Sequence, residues 1–334
     1  MIRQRVWISG TLLVLAIVLI VAWEKGIKPR AEKKAEQSTR MFPELEIKRV
    51  NKIEMSRGDK KEILSSHDSN WVVETDGGYA AEPDGVQKAL EASQKLNCRT
   101  ESASGEDQYS RFELEKEKAM EVKLYGDKSK VVADFYIGKR GPTYSSSYFR
   151  KEGDKRICLA YENLITVFDR TNDTWRDKSI LSFLPTDCVG LKIQDGATLV
   201  WLEKDTKENQ WEILEDQTKK PAAAWAVDGI CQTLSKLKTQ GFPTASIQEA
   251  GLEKPTKTIT VNLTGGKSFA LSVGLPAKTK DNFYVKRNDQ PNIFELSSWQ
   301  LASLFKKKDD LTEKSNEAQP TPPIPPGAVP KARE

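Results

Sequence analysis

The sequence predicts an α+β protein in which one unit occurs twice in tandem behind a single N-terminal transmembrane helix. Each copy is expected to hold mainly antiparallel strands, one main helix and one short helix. Three observations predict this fold class: an uncharged apolar run near the N-terminus, two Trp-bearing strands 140 residues apart at Trp71 and Trp211, and a helix signal after each of them. Since the matched features recur in the same order, we interpret the two halves as copies of one unit.

The segment from Val6 to Trp23 predicts a membrane anchor, because its eighteen residues carry no charge. At ~1.5 Å per residue a helix of this length spans about 27 Å, close to the ~30 Å hydrocarbon core of a bilayer. Trp7 and Trp23 lie near the ends of the run, where aromatic rings favour the headgroup region. A cleaved signal peptide is the alternative, but no small-x-small site follows the run. We therefore expect an uncleaved anchor.

Charges near the anchor leave two orientations open. Two Arg precede the span and six Lys or Arg follow it before Met41, a count that favours a cytoplasmic body. Large domains are nevertheless translocated largely regardless of such charges. We expect residues 1–5 to form a short cytoplasmic tail, residues 24–40 a flexible stalk, and the body to lie on the periplasmic side of a bacterial cell membrane.

The distribution of charge excludes a nucleic-acid-binding surface. Residues 1–40 hold eight Lys or Arg against three Asp or Glu, whereas residues 41–305 hold 38 against 40. A protein that binds nucleic acid should carry its positive field on its folded surface. The basic excess of this chain lies beside the membrane segment instead.

The first copy is predicted over residues 41–168. Two short alternating stretches broken by Gly58-Asp59 indicate a hairpin, which feeds a third strand at Trp71. A helix follows, with Asp84 as its expected N-cap.

The second copy, predicted over residues 188–305, repeats this order. Asp195-Gly196 marks its hairpin, Trp211 its third strand, and Asp228 the expected N-cap of its helix. The connector between the copies is predicted over residues 169–187. The later strands also match in pairs: 120–125 with 259–263, 131–138 with 269–274, and 148–150 with 284–286, and each copy ends in a short apolar helix.

The Trp strands are accompanied by further turn signals that have a precedent in a known family. These are Gly251-Leu252-Glu253-Lys254-Pro255 in the second copy, strand ends at Gly138 and Gly274, and Arg176-Asp177-Lys178 in the connector. This order resembles the family known as domain of unknown function 4340, over roughly residues 41–305. The first copy departs from the family's Gly-Leu turn, since it reads Phe112-Glu113-Leu114.

This resemblance implies a partner as well as a fold. Family members typically carry one N-terminal anchor, and some are encoded near components of ABC transporters of the gliding-motility type. An envelope protein, such as an ABC transporter subunit, is therefore the partner that the resemblance suggests.

The C-terminal segment 306–334 passes from a charged stretch into a Pro-rich one, with six Pro in residues 320–330. Such a composition favours polyproline II and does not form a packed domain. A disordered end and a docking motif or spacer are the two interpretations, and we favour the first.

Candidate chemistry is sparse. His67 lies among Ser and Asp residues, but in a polar loop rather than in the buried setting of a catalytic triad. Gly265-Gly266-Lys267-Ser268 lacks the earlier Gly of a phosphate-binding loop, because Val261 occupies that position. We therefore predict no catalytic, cofactor-binding or metal-binding residues.

The four cysteines, Cys98, Cys158, Cys188 and Cys231, contain no Cys-x-x-Cys pair, so zinc and thioredoxin-like sites are not expected. Outside the cytoplasm they can pair in three ways. Buried free thiols are the alternative.

Aromatic residues supply the candidate contact surface. Trp71 and Trp211 are expected in the core, because aromatic residues on strands usually pack there. Tyr144, Tyr148 and Tyr284 are the candidates for a ligand or partner surface.

These features favour a non-catalytic, membrane-anchored, extracytoplasmic interaction module, of which an accessory to an ABC-type transporter or another envelope complex is one form. A glycan- or peptide-binding protein is the alternative that the aromatic residues would support. An envelope hydrolase has less support, since the sequence shows no catalytic pattern.

Overall fold

A computed structural model describes residues 40–68, 70–75, 77–205, 207–215 and 218–313. Contacts divide the chain into two compact units between Asp177 and Lys178, within the predicted connector. The short tail, the anchor at Val6 to Trp23, nearly all of the stalk and the Pro-rich end fall outside the described residues.

Within the described ranges, no helix is both long enough and apolar enough to cross a bilayer.

The first unit is built on one antiparallel sheet. Its described strands pair in the order β4-β3-β2-β1-β6-β7-β8-β9-β5. Strand β5 returns to the edge after the main helix and pairs with β9. The strands are β1 Lys52–Arg57, β2 Lys60–His67, β3 Asn70–Val73, β4 Tyr79–Ala80, β5 Thr100–Ser104, β6 Met120–Tyr125, β7 Val131–Arg140, β8 Ser147–Lys151 and β9 Arg156–Ala160.

The main helix of the first unit, α1, runs from Pro83 to Lys95, and its cap differs from the prediction. Glu82 is the N-cap, and its carboxylate accepts hydrogen bonds from the backbone amides of Asp84 and Gly85. Asp84 was therefore the wrong residue: Pro83 is the first residue of the helix, where its missing N–H costs nothing, and this places the cap at Glu82, two residues before Asp84. The shorter helices are α2 Tyr109–Phe112, α3 Leu164–Phe168 and α4 Asn172–Trp175.

The second unit repeats the antiparallel sheet without a counterpart of β5 among its described strands. The order is β13-β12-β11-β10-β14-β15-β16-β17. The strands are β10 Cys188–Asp195, β11 Thr198–Asp205, β12 Gln210–Glu215, β13 Thr218–Pro221, β14 Lys257–Leu263, β15 Ser268–Pro276, β16 Asn282–Arg287 and β17 Ile293–Ser297.

Helix α5 of the second unit begins at Ala224, four residues before the Asp228 that was predicted to cap it. The cap prediction was wrong because Asp228 has another role. Its carboxylate accepts a 2.8 Å hydrogen bond from the indole N–H of Trp211 and so ties the helix to β12. Helix α6 (Ser298–Leu304) has a capping box at its N-terminus, formed by Ser297 and Gln300, and α7 (Lys308–Leu311) follows.

The two sheets have equivalent registers. Residues that pair across β1, β6 and β7 have counterparts across β10, β14 and β15. Positions in the two sheets can therefore be matched without relying on sequence alignment. The central rows are Met55–Val122–Phe135 in the first sheet and Ile193–Ile259–Leu271 in the second.

Each core lies between one face of the sheet and its helices. In the first unit Trp175 and Phe135 are fully buried, and α1 contributes Val86 and Ala89 to the same cluster. In the second unit Val227 and Leu234 of α5 are buried together with Trp211. Trp211 therefore lies in the core as predicted, and Trp71 is half-buried against the first core.

The cysteines form two disulfides, one in each unit. Cys98, just after α1, is bonded to Cys158 on β9, and Cys188 on β10 is bonded to Cys231 on α5. The structure thus selects one of the three possible pairings and excludes the free thiols. Each bond links the helical layer or its exit to the sheet.

After the main helix, each chain segment crosses to the outer face of its sheet. Leu114 packs there with Tyr136 in the first unit, as Leu252 does with Tyr284 in the second. Glu113, which departs from the family's Gly-Leu turn, has φ 56°, close to the φ 65° of its counterpart Gly251. The turn geometry is therefore kept, and Glu113 adopts a left-handed conformation that costs about 1 kcal/mol without Gly.

Candidate functional site

Two of the three predicted surface tyrosines pack under these crossing segments. The ring of Tyr148 meets that of Phe112 edge-on with centroids 4.7 Å apart. Tyr284, its counterpart on β16, is 5% exposed and packs with Ala250 and Leu252. Their equivalent positions and similar packing indicate a structural role in both copies.

Tyr144 differs from the other two, because 73% of it is exposed. It lies in the loop between β7 and β8, and the Arg140 guanidinium stands 4.7 Å from its ring centroid. The Asn163 side chain donates a 3.1 Å hydrogen bond to the Tyr144 carbonyl. Tyr144 thus offers an accessible ring beside a cation.

His67 has polar neighbours, but their geometry is not that of a triad. Its Nε2 lies 3.0 Å from the Ser65 hydroxyl and 3.2 Å from the Glu74 carboxylate, and the Ser65 hydroxyl also donates to Glu74. Hydrogen bonds from Ser65 and His67 lower the pKa of Glu74. A triad uses the two ring nitrogens for different partners, whereas one nitrogen faces both here. The cluster is also exposed, so it provides no water-excluded site.

The described residues contain no group of three or more His, Cys, Asp or Glu side chains arranged to hold a metal ion.

The outer face of the first sheet carries paired charges. Glu54 contacts Lys52 at 3.0 Å and Lys61 at 2.7 Å, and Glu121 contacts Lys123 at 2.8 Å. Burial acts to raise the pKa of Glu121, but hydrogen bonds from Lys123 and Tyr136 outweigh it and lower that pKa. The Lys and Glu side chains of this face therefore neutralise one another.

Asp134 belongs to the same network, but burial disfavours its charged form. Burial raises its pKa to about 6 and outweighs the opposing effect of Lys123, whose ammonium stands 3.9 Å away, and one carboxylate oxygen has no hydrogen-bond partner among the described residues. The unfolded value is about 3.9, so the folded state binds the proton more tightly and loses stability as the pH rises from about 4 to 6.

Asp134→Asn is therefore expected to stabilise the first unit at pH 7 by about 1–2 kcal/mol and to have little effect below pH 4. Urea unfolding from pH 4 to 8 measures the difference. Asp59→Asn in the exposed β1–β2 turn removes the same charge as a control. A variant less stable than the wild type at pH 7 would contradict the buried-carboxylate interpretation.

The outer face of the second sheet is apolar at one end. Trp201 is 42% exposed and Leu199 52% exposed on β11, and Trp201 pairs with Leu214 on β12. We call these three residues the Trp201 patch. The next strand on the other side of β11 is β10, where Lys192 pairs with Trp201 and Gln194 with Leu199.

The matched positions of the first sheet are polar or charged in most cases. Lys61, Ile63 and Glu74 stand where the second sheet has Leu199, Trp201 and Leu214. The fold therefore does not require apolar side chains at these positions. Since the first sheet carries mostly charged side chains at the matched positions, the exposed Trp of the second sheet indicates a contact surface.

The sequence contained a signal for this patch that the search for aromatic candidates missed. Strand β11 reads Thr-Leu-Val-Trp-Leu, so that apolar residues occupy both faces instead of alternating with polar ones. A strand with one solvated face should alternate. The exception pointed to Leu199 and Trp201.

Comparison with known proteins identifies a family and gives no activity. The model of the family described as "Domain of unknown function (DUF4340)" matches residues 71–246 and, again, residues 211–321. The two matches begin at the equivalent residues Trp71 and Trp211, and the first match continues into the second copy. No curated protein and no solved structure matches the chain.

Proposed function

Because the chain belongs to the DUF4340 family, a family of domains of unknown function, we propose a function from its surfaces: a non-catalytic interaction module whose body lies outside the cytoplasm and binds a protein of the cell envelope. The observation that carries this proposal is the Trp201 patch, an exposed apolar surface at positions where the first copy holds charge or a half-buried Ile.

The patch has the composition of a protein contact. Trp is enriched at the centre of interfaces, where it supplies a large apolar area and an N–H donor. Leu199 and Leu214 extend that area on the same face. Charged Lys192 borders Trp201 across the strand pair, as expected of a polar rim.

The two disulfides support a location outside the cytoplasm. Such bonds persist in oxidising surroundings and are rare in the reducing cytoplasm. Cys158, Cys188 and Cys231 are almost wholly buried, so each bond is part of a core. A body exported across the membrane, with Val6 to Trp23 as its single span, is consistent with both bonds.

The proposed partner is an envelope complex, and an ABC-type transporter is the version that the family resemblance favours. A membrane anchor would hold the module beside such a complex and raise its effective concentration there, so that a patch of modest area suffices.

The test removes the ring of Trp201 and measures recovery of the partner. Full-length protein is crosslinked in native membranes and purified, and the co-purified proteins are identified by mass spectrometry. Trp201→Ala is expected to lower recovery of a stoichiometric partner about tenfold or more, as the loss of an interface anchor does. Trp225→Ala is the matched control, because Trp225 is 80% exposed on α5, away from the patch.

Equal recovery with Trp201→Ala and wild type would exclude the patch as the contact. If the protein purifies alone, a glycan or peptide becomes the better candidate. The exposed aromatic ring of Trp201 favours that alternative, and a shift in melting temperature with envelope glycan fragments tests it.

A further inference from the structure

A cleft opens at one end of the first sheet. A cavity of about 740 Å³ lies between the β1–β2 hairpin and the segment 168–173. A second hollow of about 400 Å³ lies between the crossing segment at Glu113 and the end of β7. Arg57 lines both, so they meet at its side chain. The larger cavity has the size of an ordinary small-molecule site.

The lining of this basic cleft is unevenly charged. Seven Lys or Arg residues face four Asp or Glu residues. Asp169 accepts from Arg57 at 2.7 Å, and Asp173 pairs with Arg176 at 3.2 Å. Three more of the seven cations pair with acids outside the lining: Lys61 with Glu54, Arg170 with Glu82 and Lys118 with Glu115. The cleft therefore keeps a positive excess.

Several of these cations lack an acidic partner. In the part of the chain that the structure describes, no carboxylate lies within 4 Å of the charged groups of Lys60, Lys139 or Arg140. The buried Nε of Arg57 likewise meets no acceptor among the described residues. Lys139 and Arg140 rest near the rings of Phe112 and Tyr144, which hold cations without neutralising them.

The second copy shows that the scaffold does not need these cations. In the matched register Asp195 stands at the position of Arg57, and Thr198 stands at the position of Lys60. Leu275 and Pro276 follow Gly274 where Lys139 and Arg140 follow Gly138. Clustered like charges destabilise a folded surface, so a cluster that the duplicate omits calls for a ligand.

We infer that the basic cleft of the first unit binds a small ligand with at least two anionic groups, phosphate or carboxylate. One group lies near Lys60 and Arg57, and the other near Lys139 and Arg140. The forked Arg guanidinium suits both kinds of group. The exposed ring of Tyr144 borders the second position.

The test titrates the full-length chain, kept in a non-ionic detergent, by calorimetry. Inorganic pyrophosphate probes phosphate, citrate probes carboxylate, and mixed micelles of the detergent with cardiolipin, whose headgroup carries two phosphates, probe a lipid as the source. At least one is expected to bind with a dissociation constant below about 1 mM. Raising the salt concentration is expected to weaken that binding.

The decisive variant is Lys60→Thr/Lys139→Leu, which introduces the residues that the second copy holds at Thr198 and Leu275. It is expected to weaken binding about tenfold or more, since each lost charge-assisted hydrogen bond is worth a severalfold change. Lys254→Thr/Lys267→Leu removes two exposed cations of the second unit and should leave binding unchanged.

Arg140→Gln, at an exposed position, serves as an independent second variant if the first one misfolds. Equal binding by the wild type and a folded cleft variant overturns the inference. So does the absence of binding with all three probes up to about 10 mM of anionic groups.

Discussion

Removal of the Cys98–Cys158 disulfide is expected to lower the free energy of unfolding of the first unit by about 4 kcal/mol. The bond links residues 60 positions apart, and closing a loop of that length removes much of the entropy of the unfolded chain. Because a domain is commonly stable by only 5–15 kcal/mol, the change is a large fraction of the total.

The measurement uses Cys98→Ala/Cys158→Ala and hydrogen exchange read by mass spectrometry, since peptides from the two units are followed separately. Protection is expected to fall in β6 and β7 of the first unit. Cys188→Ala/Cys231→Ala is the matched experiment in the second unit, where a separation of 43 residues gives a similar effect of about 4 kcal/mol on β14 and β15. Unchanged protection in the unit that lost its bond would show that the disulfide adds nothing to its stability.

The duplicated α+β fold could be predicted because its signals are local. Alternation of apolar residues, turns at Gly58-Asp59 and Asp195-Gly196, and the two Trp strands each act within a few residues. They recur in the same order, and the structure places them in sheets of the same register. The fold class was confirmed for the two sheets and their helices.

The helix caps were predicted less well, because competing partners decide them. Asp84 and Asp228 both had the residue type and the position of an N-cap. Because α1 begins at Pro83, its N-cap is Glu82, and the carboxylate of Asp228 accepts from the indole of Trp211 instead. The second contact joins residues 17 positions apart, a distance over which local patterns carry no information.

Tertiary contacts also decide the surfaces. Four cysteines permit three pairings, and only the folded chain selects one. Tyr144 and Tyr284 looked equally suited to a surface site, yet the crossing segment covers Tyr284. The basic cleft collects Arg57, Lys139 and the segment 168–173 from distant parts of the sequence, so no spacing could have shown it.

Gly138 and Gly274 carry the other large expected effect, because they allow the crossing segments to lie on the sheets. A Cβ at Gly138 would overlap the backbone carbonyl oxygen of Phe112, and one at Gly274 that of Ala250. The backbone amide of Leu275 donates a 2.8 Å hydrogen bond to that Ala250 carbonyl. Gly138→Ala and Gly274→Ala are therefore each expected to cost about 3 kcal/mol, since backbone on both sides must move.

Gly229→Ala is the control, because Gly229 lies within α5 with open space around its Cβ position. There Ala should stabilise the helix by up to about 1 kcal/mol. If close approach is the reason for Gly at the strand ends, thermal unfolding should show that Gly138→Ala and Gly274→Ala lower the stability and that Gly229→Ala raises it. Small, equal losses in all three would mean that the crossing segments shift easily, and the shared Gly would then need another explanation. A large loss at both strand ends would show that the two copies depend on the same backbone contact, although their surfaces have diverged into a basic cleft and an apolar patch.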